Sequence, residues 1–119
     1  MTEHAGIRQG GIYWARIAEA DDDEIVHPQV VIQDDAINGS RIGSVVVCAL
    51  STNMRKAYAP GNVLLDEGEA GLPKRSVVVV SQVSCIEKGQ LGEHIGSLGP
   101  ERVEEILRGM LQVRNLGGS

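Results

Sequence analysis

Residues Ile42–Asn53 read IGSVVVCALSTN. Val45–Leu50 is apolar at every position and rich in β-branched side chains, which favour strands. The stretch predicts a strand over Ile42–Thr52, buried on both faces, whose end carries the polar trio Ser51, Thr52 and Asn53. A core strand that stops on hydroxyls delivers chemistry to the rim of the core. Cys48 lies inside the run and reads as a buried, reduced thiol.

The segments on either side are of the same kind. Upstream, Gln29–Ile32 is a second apolar strand. Pro28 lacks the N–H a paired strand requires, so this strand is expected to begin near Gln29. Asp34–Gly39 reads as a turn, with Asn38-Gly39 its strongest signal. Gly11–Ala18 alternates as a strand, with Ile12, Trp14 and Arg16 on one face and Tyr13, Ala15 and Ile17 on the other. Arg16 is therefore expected to point inward, toward an acid or a groove. Downstream, Met54–Pro60 is a basic connecting loop, Asn62–Leu65 a short strand, and Asp66–Lys74 a Gly- and Pro-bearing loop. Ser76–Gln82 is another buried strand, ragged to Ile86, and Leu91–Leu98 a last short one. The tail differs. Gly99-Pro100-Glu101 is a helix start, with Pro at the first helical position and an acid at the positive end of the helix dipole. Val103, Ile106, Leu107, Met110 and Leu111 recur at helical spacing, so a helix over 100–114 is expected. Its apolar face either covers an end of the sheet or meets a second copy. Short strands with one terminal helix predict a mainly β fold, a small, strongly curved barrel.

The chain has 119 residues, enough for one domain with a real core. We expect a flexible N-terminal extension over residues 1–9 and a single domain over 10–116. No run approaches the roughly 18 apolar residues of a membrane-spanning helix, and the N-terminus has no apolar signal core. A cytoplasmic protein without membrane contact is the expectation. His4, His27 and His94 share no metal-ligand spacing, Cys48 and Cys85 form no CxxC pair, and no phosphate-binding glycine loop is present. Neither a metal nor another cofactor is expected. The net charge of −5 argues at first sight against a nucleic-acid ligand. Five of the 16 acids, however, lie in Glu19–Glu24; the remaining 11 equal the 11 Lys and Arg. The charge thus describes one acidic loop, which is a solvated loop, a filter on an anionic ligand, or a dock for a basic partner. The aromatic content of 3% speaks against base stacking as a source of affinity.

Seven blocks in register resemble the MazF/PemK toxins. They are Gly10–Trp14 (GGIYW), His27–Ile32 (HPQVVI), Asn38, Val45–Asn53 (VVVCALSTN), Gly61–Leu65 (GNVLL), Gly71–Val78 (GLPKRSVV) followed by Gln82, and Leu98–Arg102 (LGPER). The resemblance covers residues 10–116. It implies an SH3-like barrel, a homodimer, and an antitoxin that blocks the active-site groove. It also implies metal-independent, sequence-specific cleavage of single-stranded RNA by attack of the ribose 2′-OH. The alternative is a non-catalytic, toxin-like barrel that only binds a protein partner.

The family's catalytic pair is the Arg before the strand-opening Pro and the hydroxyl residue ending the central strand. Ser51 holds the second place, with Thr52 beside it; the other reading of Ser51 is a strand-end hydroxyl that satisfies local backbone. The first place is occupied by His27. Imidazole, with an ordinary pKa near 6.5, is a capable acid or base. Otherwise the loss of a permanent, bidentate cation leaves a degenerate site, or His27 is a solvated strand-start residue. Gln82 is a candidate for hydrogen bonds to a base edge, and Arg55, Lys56 and Arg16 for RNA binding. Lys74 and Arg75 are weaker phosphate candidates. For each of these the competing reading is an ordinary solvated side chain.

Overall fold

The computed structural model describes residues 6–18 and 24–117. The β-branched runs extend into β1 (Gly11–Ala18), β2 (Glu24–Val31), β3 (Ser44–Ser51), β4 (Val63–Leu65), β5 (Ser76–Glu87) and β6 (Leu91–Ser97). Among the described residues they make one antiparallel sheet in the order β4-β5-β3-β2-β1-β6. The sheet curls into a half-barrel with β4 and β6 as its edges. A short helix α1 (Asp35–Asn38) joins β2 to β3, and α2 (Pro100–Gly117) ends the chain.

Strand alternation sends side chains to two cores. One face of the sheet carries Ile12, Val30, Cys48, Leu50, Leu65 and Val78, against which α2 packs Ile106, Val103, Met110 and Val113. The apolar stripe of α2 therefore covers the sheet, and Leu107 and Leu111 remain on its outer side. The opposite face holds a smaller cluster of Ala15, Val31, Val45, Val47, Ile86 and Leu91, joined by Ile7 from the N-terminal segment. Cys48 is fully buried, donates its S–H to the Val79 carbonyl at 3.1 Å, and has its pKa pushed up to about 12 by desolvation. It is the inert reduced thiol that its surroundings in sequence indicated.

Three local expectations change. Strand β2 begins at Glu24 rather than near Gln29, and Pro28 lies inside it, opposite Trp14 of β1. Asp34–Gly39 is not an open turn but the helix α1. The Asp34 carboxylate caps it by accepting from Ala36 N–H at 2.8 Å, and Gly39 sits at φ −82°, with no left-handed turn. Buried Asn38 fastens it by donating to the Gln33 carbonyl at 2.8 Å. Met54–Tyr58 coils into a 3-10 turn instead of an irregular loop. Most of the acidic loop, residues 19–23, lies outside the described residues, as do residues 1–5 of the expected extension.

Helix α2 is tied at its start by a fork. Arg102 donates through Nε and Nη2 to both carboxylate oxygens of Glu69, at 2.7 and 3.0 Å. These bonds hold the Glu69 carboxyl below its ordinary range, and Glu69 raises the Arg102 guanidinium in turn. Such a depressed carboxylate stabilises the fold above its unfolded pKa and loses that contribution as pH falls through the folded value. Glu69→Gln is expected to cost about 1 kcal/mol at pH 7, discounted for partial exposure. Urea unfolding of both chains should show the gap closing as pH falls below the ordinary Glu range.

Candidate functional site

The site begins with a missing donor. Ile32 N–H donates to Val46 O of β3, so by strand alternation Val30 and Pro28 also face β3. Pro28 has nothing to donate there. The β2–β3 ladder accordingly stops at Gln29↔Ala49, while the β1 side of β2 stays paired down to Glu24. This is how Pro28 fits inside a strand: locally it is an edge. Continuing the register by two residues places His27 across from Ser51, where the two strands have parted.

Strand β5 opens the other wall. Cys48 pairs with Val83 but Leu50 pairs with Val78, so Ala49 alone faces Val79–Gln82. The bulge is held from behind. Asn62 Oδ1 accepts from Val80 N–H at 3.1 Å, and Asn62 Nδ2 donates to the Lys56 carbonyl at 2.9 Å. One amide thus joins the bulge to the 3-10 turn after β3, and Gln82 projects into solvent at the bulge's end.

Between these walls lies a cavity of about 630 Å³, lined by His27, Gln29, Ser51, Thr52, Lys56 and Gln82 among others. His27, Ser51 and Lys56 are half-buried, and Thr52 and Gln82 exposed. Ser51 Oγ accepts from Asn53 N–H at 3.1 Å. The local backbone reading of this hydroxyl therefore holds, and the bond leaves its O–H proton available to donate. No carboxylate lines the cavity among the described residues. Lys56 brings a basic side chain to the lining, and His27 brings an imidazole, a group suited to moving a proton.

Two expected residues lie elsewhere. Arg16 is exposed, not inward: its face of β1 starts in the core at Ile12 and runs out past Trp14, opposite the exposed Val26. Arg55 is exposed on the 3-10 turn and absent from the lining. Lys74 and Arg75 are also exposed and outside the lining, although the next residue, Ser76, belongs to it. The sequence reading did not mark Gln29, Ser76 and Ser84 of the lining, or Asn62 behind it, as site residues. Gln29 looked like the first residue of an apolar strand, and its signal was parity, since it shares the inward face with Val31. Asn62 looked like the edge of a short strand, and its role depends on a bulge that periodicity does not reveal. A second cavity, of about 680 Å³, lies by β1 and β6. Its His94 is engaged with Ser97 Oγ at 3.1 Å and the Tyr13 ring at 4.9 Å, and its Arg8 with Asp35.

Comparison with known proteins meets this geometry. The family described as PemK-like, MazF-like toxin of type II toxin-antitoxin system matches residues 8–113. Endoribonuclease MazF6 of Mycobacterium tuberculosis and Endoribonuclease MazF2 of Mycobacterium bovis are each 31% identical over 112 residues, covering 92% of this chain and 98% of theirs. Among solved structures, a mycobacterial endoribonuclease in complex with its cognate antitoxin superposes with a TM-score of 0.75 at 19% identity, over 92% of this chain and 95% of that one. MazF from a MazE-MazF complex of Deinococcus radiodurans gives 0.70 at 16% identity, over 93% and 95%. At such identities the superpositions speak for the fold. The sequence matches speak for descent, and by them the chain belongs to the PemK-like, MazF-like toxins of type II toxin–antitoxin systems.

Proposed function

We propose that this protein is the toxin of a toxin–antitoxin pair, a metal-independent endoribonuclease that cuts single-stranded RNA at preferred sequences. One observation carries the reading: His27, Ser51, Thr52, Lys56 and Gln82, scattered over 56 residues of sequence, line one cavity in a chain whose relatives are endoribonucleases. Lys56 draws the phosphate chain into the cavity. His27 takes the proton of the ribose 2′-hydroxyl as O2′ bonds to phosphorus, and returns it to O5′ as the P–O5′ bond breaks. Ser51, with Thr52, donates to the non-bridging oxygens as their charge grows. The products are a 2′,3′-cyclic phosphate and a 5′-hydroxyl.

The protein works in the cytoplasm as a homodimer, and an antitoxin silences it by lying across the same cavity. Incubation of a mixed-sequence RNA with the purified chain in EDTA, followed by end-group analysis, tests the chemistry. Cyclic-phosphate and 5′-hydroxyl ends are expected, and the antitoxin should suppress them. Cleavage that requires a divalent metal, or intact RNA beside a folded chain that still binds antitoxin, would overturn the reading.

A further inference from the structure

The cavity floor holds an amide with unmet hydrogen-bonding capacity. Gln29 is 2% exposed, and its Oε1 is the buried side-chain polar atom among the described residues that finds no partner. The residue sits where the inward face changes character. On one side along β2 is Val31 of the smaller core; on the other is His27 at the mouth. Its cross-strand neighbours are Tyr13 and Ala49, and neither side chain reaches its oxygen. A buried acceptor without a donor destabilises a fold, and an apolar side chain of the same length would carry no such cost.

We propose that Gln29 is a specificity residue of the ribonuclease site, reading the base beside the scissile phosphate; the inference rests on the ribonuclease reading above. The terminal amide turns about a broad torsion, so its oxygen can swing from the floor toward a ligand. A carboxamide then presents an acceptor and a donor side by side. That pattern complements a base edge on which a donor adjoins an acceptor: the amine and ring nitrogen of adenine or cytosine, or the ring N–H and carbonyl of uracil or guanine. His27 is two residues away on the same face of β2, and Ser51 is two residues beyond Ala49 on β3. A base seated on Gln29 therefore belongs to a nucleotide flanking the phosphate those two residues engage.

The test compares wild type with Gln29→Met on a randomised single-stranded RNA pool, sequencing the cut ends and measuring thermal melting. The expected result is an equal or higher Tm together with a roughly tenfold or greater loss of the wild-type preference for one base at one position beside the cut. A lowered Tm with an unchanged cleavage profile means that the amide is structural, through a bound water for example, and overturns the proposal. An unchanged profile at any Tm does the same. Should Gln29→Met not fold, Gln29→Glu carries the test. It keeps the shape and the acceptor but loses the donor, so the preference must fall, and an unaltered preference overturns the proposal. A wild-type chain that leaves the pool uncut overturns the ribonuclease reading and this inference with it. A wild type that cuts beside a Gln29→Met chain of identical preference overturns this inference alone.

Discussion

Replacing His27 by alanine is expected to lower kcat/KM for RNA cleavage by about 10²–10⁴-fold, the range of a single proton-transferring group. The melting temperature should scarcely move. The imidazole is half-buried at a point where β2 has left β3, so its removal opens no core cavity. It makes no hydrogen bond to another described residue, so its removal leaves no partner unsatisfied. Nor does any other imidazole line the cavity: Lys56 is an amine, and Ser51 and Thr52 are hydroxyls. His27→Arg separates the two services the position can render. Arginine binds phosphate in a fork and releases no proton at neutral pH. If charge is what the position supplies, arginine restores at least a tenfold part of what alanine loses, mainly through KM. If proton transfer is, kcat stays low. Undiminished cleavage by His27→Ala would remove His27 from the mechanism altogether.

The sequence carried most of the architecture because the fold is written in short-range physics. The β-branched runs became β1, β3 and β5, and Gly99-Pro100-Glu101 opened α2 at the expected residue. Pro28 shows where this reading stops. Its missing N–H predicts a strand that starts near Gln29, but a strand has two sides and the sequence does not say on which of them the pairing breaks. The structure breaks the β3 side alone, and the cavity is the consequence. Gln82 stands out through the family resemblance, while its projection depends on the four-residue bulge Val79–Gln82, which Asn62 holds from the residue before β4. Arg55 stands out by charge and proximity in sequence and Arg16 by strand alternation, and neither signal fixes where the side chain ends up. Charge marks which residues can meet a phosphate. Only the register and the bulge determine which of them line the cavity.

The second large effect expected lies far from the chemistry in sequence and close to it in packing. Gly109 is a buried position in the middle of α2, where alanine ordinarily gains about 0.5–1 kcal/mol through helix propensity. Here the sign reverses. A Cβ on Gly109 would fall into the carbonyl oxygen of Gly61, and Gly61 cannot swing aside freely because it holds φ +83° with its own Cα position packed against the Gly109 carbonyl and the Val113 side chain. The obstacle is backbone against backbone, with no flexible side chain to yield. Gly109→Ala is therefore expected to destabilise the chain by a net 1–3 kcal/mol, roughly the cost of overpacking a filled core. Gly89→Ala is the control, since a Cβ there meets nothing within 4 Å and should change stability by no more than about 0.5 kcal/mol. The damage should also reach the cavity. Gly61 precedes Asn62, whose amide holds both the Lys56 carbonyl and the Val80 N–H, so a displaced Gly61 loosens Lys56 and the Gln82 bulge together. Chemical denaturation of the three chains, with RNA affinity measured well below their unfolding midpoints, resolves the two effects. A Gly109→Ala chain as stable as wild type would show that α2 can retreat from the sheet without cost. A destabilised chain with unaltered RNA affinity would show that the Asn62 clamp holds Lys56 and Gln82 independently of the helix behind it.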